Sequence, residues 1–241
     1  MEPATLPYCG SAPLPAEILL RWNLDPLLLL ILGAGYLIFR QMGARQGALV
    51  AGFAVLAVLF VSPLCALSSA LFSARTVHHV LLITVAAPLI ALALPRRSGG
   101  LVMWTVVHAI VLWAWHAPAA YAFALAHDAG YALMQATLLG TAICFWRAVV
   151  SSTAPAAGAA LLGTMMQMGL LGALLTFAGR AIYAWHWTTT QAWGLSPVED
   201  QQLAGLVMWV PGGGAYLLAA LYLAGAWMRT REDATAGPMP A

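Results

Sequence analysis

The chain carries six histidines, and these are its residues best suited to chemistry. Two of them, His78 and His79, are adjacent in SARTVHHVLLITVAAPLIALALP (residues 73–95), at the mouth of a run that is otherwise almost wholly apolar. Imidazole is the commonest protein metal ligand, and its neutral form suits copper, zinc and iron. Ionisable side chains inside apolar segments are costly and tend to mark function. His78 and His79 project about 100° apart on a helix, so at most one faces a given centre. His108 sits deep in LVMWTVVHAIVLWAWH, about 12 Å along the helix from His116. His127 follows after a short interval, and His186 lies further on. Two readings stand side by side. His78 or His79, His116 and His127 converge on a metal, with His108 below them, or the imidazoles are simply hydrogen-bonded at headgroup level. For His108 the competing role is an interhelical hydrogen bond to Gln135, Gln167 or a backbone carbonyl.

Other polar groups extend the same pattern. The last apolar segment begins EDQQLAGLVMWVPGGGAY. Asp200 and Gln201 can hydrogen-bond a ligating imidazole and fix its tautomer, while helix capping by Asp200 is an equal alternative. Met165, Met166 and Met168, with Met134 and Met208, offer thioethers that would suit Cu(I), although packing is the ordinary role of methionine in an apolar core. Cys9, Cys65 and Cys144 form no CxxC pair and imply no disulfide framework. HExxH and GxSxG are absent, so neither a zincin site nor a nucleophile elbow is supported. There is no lysine to form a retinal Schiff base.

The elements that must position these residues follow from composition. Of 241 residues, 62% are hydrophobic and only 7% charged, against about 25% charged in a soluble domain. Too few charges exist to build a water-facing surface, so the chain is expected to be an all-α, polytopic membrane protein. Spans of about 20 apolar residues are read near 25–41, 47–63, 76–94, 100–118, 128–149, 158–179 and 199–228, seven in all. Segment 64–75 is too short to cross and is expected to lie at the interface. Residues 1–24 form an outer tail without a cleavable signal peptide, 25–228 the seven-helix transmembrane domain, and 229–241 a second tail. All ten basic residues are arginine. Arg40, Arg45, Arg96, Arg97, Arg147, Arg229 and Arg231 fall on one side of this scheme, and Arg21, Arg75 and Arg180 on the other. The positive-inside rule then puts the N-terminus outside and the C-terminus in the cytoplasm. Every histidine except His108 then belongs to the outer side. A net charge of +2 without a basic stripe argues against nucleic acid as a partner.

With that scheme drawn, HHVLLITVAAPLIALALP (His78 to Pro95), WHAPAAY (Trp115 to Tyr121), the FW of CFWRAVV (Phe145, Trp146) and DQQLAGLVMW (Asp200 to Trp209) resemble the CtaG-type cytochrome c oxidase assembly factors. These are seven-span membrane proteins associated with copper insertion into haem–copper oxidases. The resemblance runs over residues 25–228. It implies a family third-span histidine at His79, a fourth-span histidine at His116 and the acidic residue of the last span at Asp200. Where the commoner pattern has a further histidine and a glutamine, this chain has Arg75 and His78. The resemblance further implies a non-enzymatic assembly factor in a bacterial inner or plasma membrane. Such a factor would hold copper, as Cu(I), transiently at the outer face. It would receive the ion from a periplasmic or extracellular donor and pass it to a nascent oxidase subunit for the copper B centre. A haem-binding redox protein and a cofactor-free oxidase scaffold are the alternatives.

Overall fold

A computed structural model describes residues 6–42, 44–96 and 99–236, with side chains to residue 232. Gly43, Arg97 and Ser98 of two predicted loops, and the extreme ends of both predicted tails, lie outside the described residues. Among the described residues all regular structure is helical. We number the main helices α1 (Pro26–Gln41), α2 (Gln46–Val61), α3 (Pro63–Ala70), α4 (Phe72–Ala93), α5 (Leu101–His116), α6 (Pro118–Ala126), α7 (Asp128–Val150), α8 (Ala154–Phe177) and α9 (Pro197–Glu232).

Each of the seven apolar segments contains a helix, but their lengths differ from expectation. Helices α4, α7, α8 and α9 are long and apolar enough to cross a membrane, and the count rises to six if α2–α3 and α5–α6 each form one bent span. Helix α1 has 16 residues, about 24 Å of helix against a hydrocarbon core of about 30 Å. The chain is therefore a multi-pass membrane protein with four to six spans by length and composition.

Proline sets both bends. Pro63 and Pro118 occupy the first position of α3 and α6, where the missing N–H costs nothing. Each forces the residue before it out of helical geometry, and Ser62 and Ala117 are extended accordingly. The chain turns by 50° into α3 and by 75° into α6. Segment 64–75 was expected at the interface. Instead α3 is packed inside, with Cys65, Ala66, Ser68, Ser69 and Ala70 buried, because the bend after Pro63 lays it against α4.

Helix α4 sits at the centre, against α2, α3, α7 and α9. It contains a π-turn at Leu82–Ala86, just ahead of Pro88, and α9 contains another at Met208–Gly212 that includes Pro211. A π-turn frees backbone carbonyls that lipid cannot hydrate. The Trp146 indole supplies one partner, donating to the Ile83 carbonyl at 2.8 Å, and its ring stacks on Tyr216. At the periphery α1 buries no residue and presents apolar side chains all round, as a lipid-facing helix does.

The N-terminal segment folds back on the bundle. Cys9 and Cys65 form a disulfide, with Cα atoms 5.3 Å apart, which corrects the expectation of no disulfide. The pairing joins residues 56 apart in sequence, so no local spacing announces it. Tyr8 stacks on Tyr131 of α7 and donates its hydroxyl to Asp25. Asp25 caps α1 through the Leu27 N–H, with Pro26 at the first helical position, as its sequence predicts.

Candidate functional site

All the histidines but His108 lie toward helix ends or loops, and they diverge from one another. His78 points from α4 toward α2 and packs edge-on against Phe60, with ring centroids 4.8 Å apart. Neither of its ring nitrogens meets a partner in full hydrogen-bonding geometry, although the Leu59 backbone lies close enough to interact. His79 points the other way, and its Nε2 lies 3.3 Å from the Gln135 amide of α7. Their divergence follows from the angular step of a helix. His116 ends α5. Its Nδ1–H donates to the Leu112 carbonyl at 2.7 Å, which leaves the Nε2 lone pair available to a ligand. His79 and His116 lie on separate helices, α4 and α5.

The remaining predicted ligands are elsewhere. His127, at the junction of α6 and α7, is exposed, donates to the Phe123 carbonyl at 3.1 Å and lies against the Phe123 ring. His108 is buried, stacks on Phe145 and hydrogen-bonds Thr141 through Nδ1 at 2.9 Å. That is the interhelical bond its depth called for, made to Thr141. Gln167 instead accepts from the Trp113 indole, at 3.1 Å. Among the described residues no three His, Cys, Asp or Glu side chains form a metal-holding group. The expected gathering of His78 or His79 with His116 and His127 on one centre therefore is not seen among the described residues, and His108 below them is bonded elsewhere. Adjacent residues on α4 diverge, and α6 carries His127 away to the exposed end of α7.

The two residues expected to support an imidazole have other partners. Asp200 is fully buried and accepts hydrogen bonds from the backbone N–H of Phe72 (2.6 Å) and Ser73 (3.2 Å) and from the Ser73 hydroxyl. It thereby caps α4, the helix that carries His78 and His79. Its own helix is capped by Ser196, which forms a reciprocal capping box with Glu199. Gln201 accepts from the Ile182 N–H at 2.7 Å and donates to the carbonyls of Leu175 and Arg180, closing the end of α8.

Three residues near this end, Arg75, Tyr121 and His186, had been given no site role from the sequence. Arg75, one turn before His79 on α4, is 1% exposed. Its guanidinium lies over the Tyr121 and Tyr131 rings, 5.9 and 5.6 Å from their centroids. Tyr121, which lies in WHAPAAY, also donates its hydroxyl to His186 Nε2 at 2.7 Å. His186 Nδ1–H in turn donates to the Ala70 carbonyl at 3.2 Å, tying the loop before α9 to the end of α3. Sequence signs were present in the departure at Arg75 and in WHAPAAY, but neither names the partners.

Burial, and then the charge of Arg75, push the His186 imidazole down to about 3, from an ordinary value near 6.5. An unfolded chain therefore takes up a proton at this residue as pH falls below 6.5, while the folded chain does not. This part of the stability is complete above pH 6.5 and is lost progressively toward pH 3. Thermal unfolding of the detergent-solubilised protein between pH 7 and pH 4.5 should show midpoints falling with pH. A His186→Gln variant should show a visibly shallower slope, and equal slopes would refute the assignment.

The chain matches the family model for the cytochrome c oxidase caa3 assembly factor (Caa3_CtaG) over residues 33–105 and 99–230. No curated protein and no solved structure matches it.

Proposed function

This chain belongs to the cytochrome c oxidase caa3 assembly factor family, and we propose that it is a non-enzymatic factor that carries Cu(I) as cargo toward the copper B centre of a nascent oxidase subunit. What supports the reading is the pair His79 and His116, imidazoles on separate helices, the second of which commits its Nδ1–H to a backbone carbonyl and so keeps its Nε2 lone pair unprotonated. Imidazole suits copper. A seat of two side chains releases its ion more readily than a closed four-ligand cage. To engage Nε2 of His79 an incoming ion displaces the Gln135 amide, so loading and release are ligand exchanges.

The proposed orientation places this end of the bundle outside, in a bacterial inner or plasma membrane crossed seven times. The arginine distribution supports it. So does the Cys9–Cys65 disulfide, a linkage that persists in oxidising compartments outside the cytoplasm. Copper then arrives from a periplasmic or extracellular donor and leaves to an oxidase subunit docked from the side.

The test is copper content. Protein purified under reducing conditions and loaded with Cu(I) should retain copper, and His79→Ala and His116→Ala should each lose at least tenfold in affinity. Equal retention in all three proteins, or none in the wild type, would end the direct-carrier reading.

A further inference from the structure

Arginine cannot shed its charge inside a protein, and a buried charge without a partner costs several kcal/mol. Arg75 is 1% exposed, yet no carboxylate among the described residues pairs with it. Its Nε–H donates to the Ser68 carbonyl at 3.1 Å. The Tyr121 and Tyr131 phenols lie close enough to interact with the guanidinium, but neither Nη1 nor Nη2 reaches an acceptor in hydrogen-bonding geometry. Asp200, buried at the start of the same helix, is engaged by Phe72 and Ser73.

The surroundings add donors and no counter-charge. His78, one turn further along α4, is 1% exposed; one ring nitrogen carries a hydrogen, and neither meets a partner in full hydrogen-bonding geometry, although the Leu59 backbone lies close enough to interact. The Ser69 hydroxyl, next in sequence to the Ser68 carbonyl that Arg75 grips, is buried and also unpartnered. A buried fixed positive charge whose Nη groups reach no acceptor, with further buried N–H and O–H groups on the same stretch of chain, is complementary to a small anion. We propose that Arg75, with His78 and Ser69, forms a buried site for one small monovalent anion, a halide or a small carboxylate. Occupation of the site neutralises the guanidinium and lowers the repulsion it exerts on any cation held nearby.

The site can be tested without metal, so its failure is separable from that of the copper reading. The full chain in detergent is unfolded thermally at constant ionic strength, with chloride or formate replacing gluconate, which is too bulky to enter. Wild-type protein should show a saturable rise of about 5 °C in Tm. Arg75→Lys, which keeps the charge, should retain part of the rise, and Arg75→Gln should lose it. An equal response from Arg75→Gln, or no anion-specific response from the wild type, would overturn the proposal. Chloride-35 line broadening on the wild-type protein, displaced by formate, gives a second measurement that needs no variant. Absence of saturable broadening would likewise refute the site.

Discussion

Asp200→Ala is expected to destabilise the protein by about 3–5 kcal/mol, because it leaves two buried N–H groups unpaired and removes charge-assisted bonds. The carboxylate is the sole side-chain cap on α4: Leu71 at the N-cap position is apolar and offers no acceptor. Its acceptors meet the Phe72 and Ser73 N–H groups from 128 and 127 residues away in sequence. Orphan donors at a helix start must find partners, and water is scarce at a fully buried position. Asp200→Asn keeps one carbonyl oxygen and should cost less, about 1–2 kcal/mol. Thermal unfolding in detergent reads the ranking, and hydrogen exchange at the Phe72 and Ser73 amides reads its cause. A role in orienting an imidazole would give the opposite pattern: altered Cu(I) affinity in Asp200→Asn with an unchanged midpoint and unchanged amide protection. Finding that pattern would displace the capping role.

What was readable in advance divides along physical lines. Composition and hydropathy fix the class of protein and locate a helix in every apolar segment, because lipid leaves only helices and closed barrels available to a spanning backbone. Local chemistry reads well too. Asp25-Pro26 opens α1 as expected, and the 100° step between His78 and His79 correctly keeps both from facing one centre. Pro63 and Pro118 carried a legible signal as well. Read as first-turn prolines, they would have announced α3 and α6 and the two bends, in place of an interfacial helix and a short loop.

The site was less legible because its contacts are long-range. Asp200 and Gln201 open the last apolar segment on the histidine side of the scheme, but sequence does not say which helix end each meets. The answer depends on how α9 packs against α4 and α8. The same holds for Cys9 and Cys65, and for His186, whose partners at Ala70 and Tyr121 lie 116 and 65 residues away. Arg75 is the instructive case. The sequence places it on the outer side, at the end of a segment expected at the interface, and only the packed fold shows it turned inward under two tyrosine rings.

Gly205→Ala should have an effect comparable to that of Asp200→Ala, through a different cause. Where α8 crosses α9, a Cβ on Gly205 would lie 2.3 Å from the Thr176 hydroxyl, 2.5 Å from the Gly172 carbonyl oxygen and 2.8 Å from the Thr176 nitrogen. Small residues allow membrane helices to approach this closely, and backbone atoms cannot rotate out of the way. The helices must separate, at a cost near the top of the overpacking range, about 3 kcal/mol. If the Thr176 side chain alone obstructed the methyl group, Thr176→Ala would rescue Gly205→Ala. The carbonyl of Gly172 and the amide of Thr176 would remain in the way, so the double variant should stay destabilised. Gly214→Ala on the same helix, with nothing within 4 Å of its added carbon, should leave the midpoint unchanged or raise it slightly. Separation would also propagate. Asp200 lies five residues before Gly205 on α9, so moving that helix draws the carboxylate away from Phe72 and Ser73. Gly205→Ala should therefore reduce protection of those two amides, and retained protection alongside a lowered midpoint would show that α4 is held independently of the α8–α9 crossing.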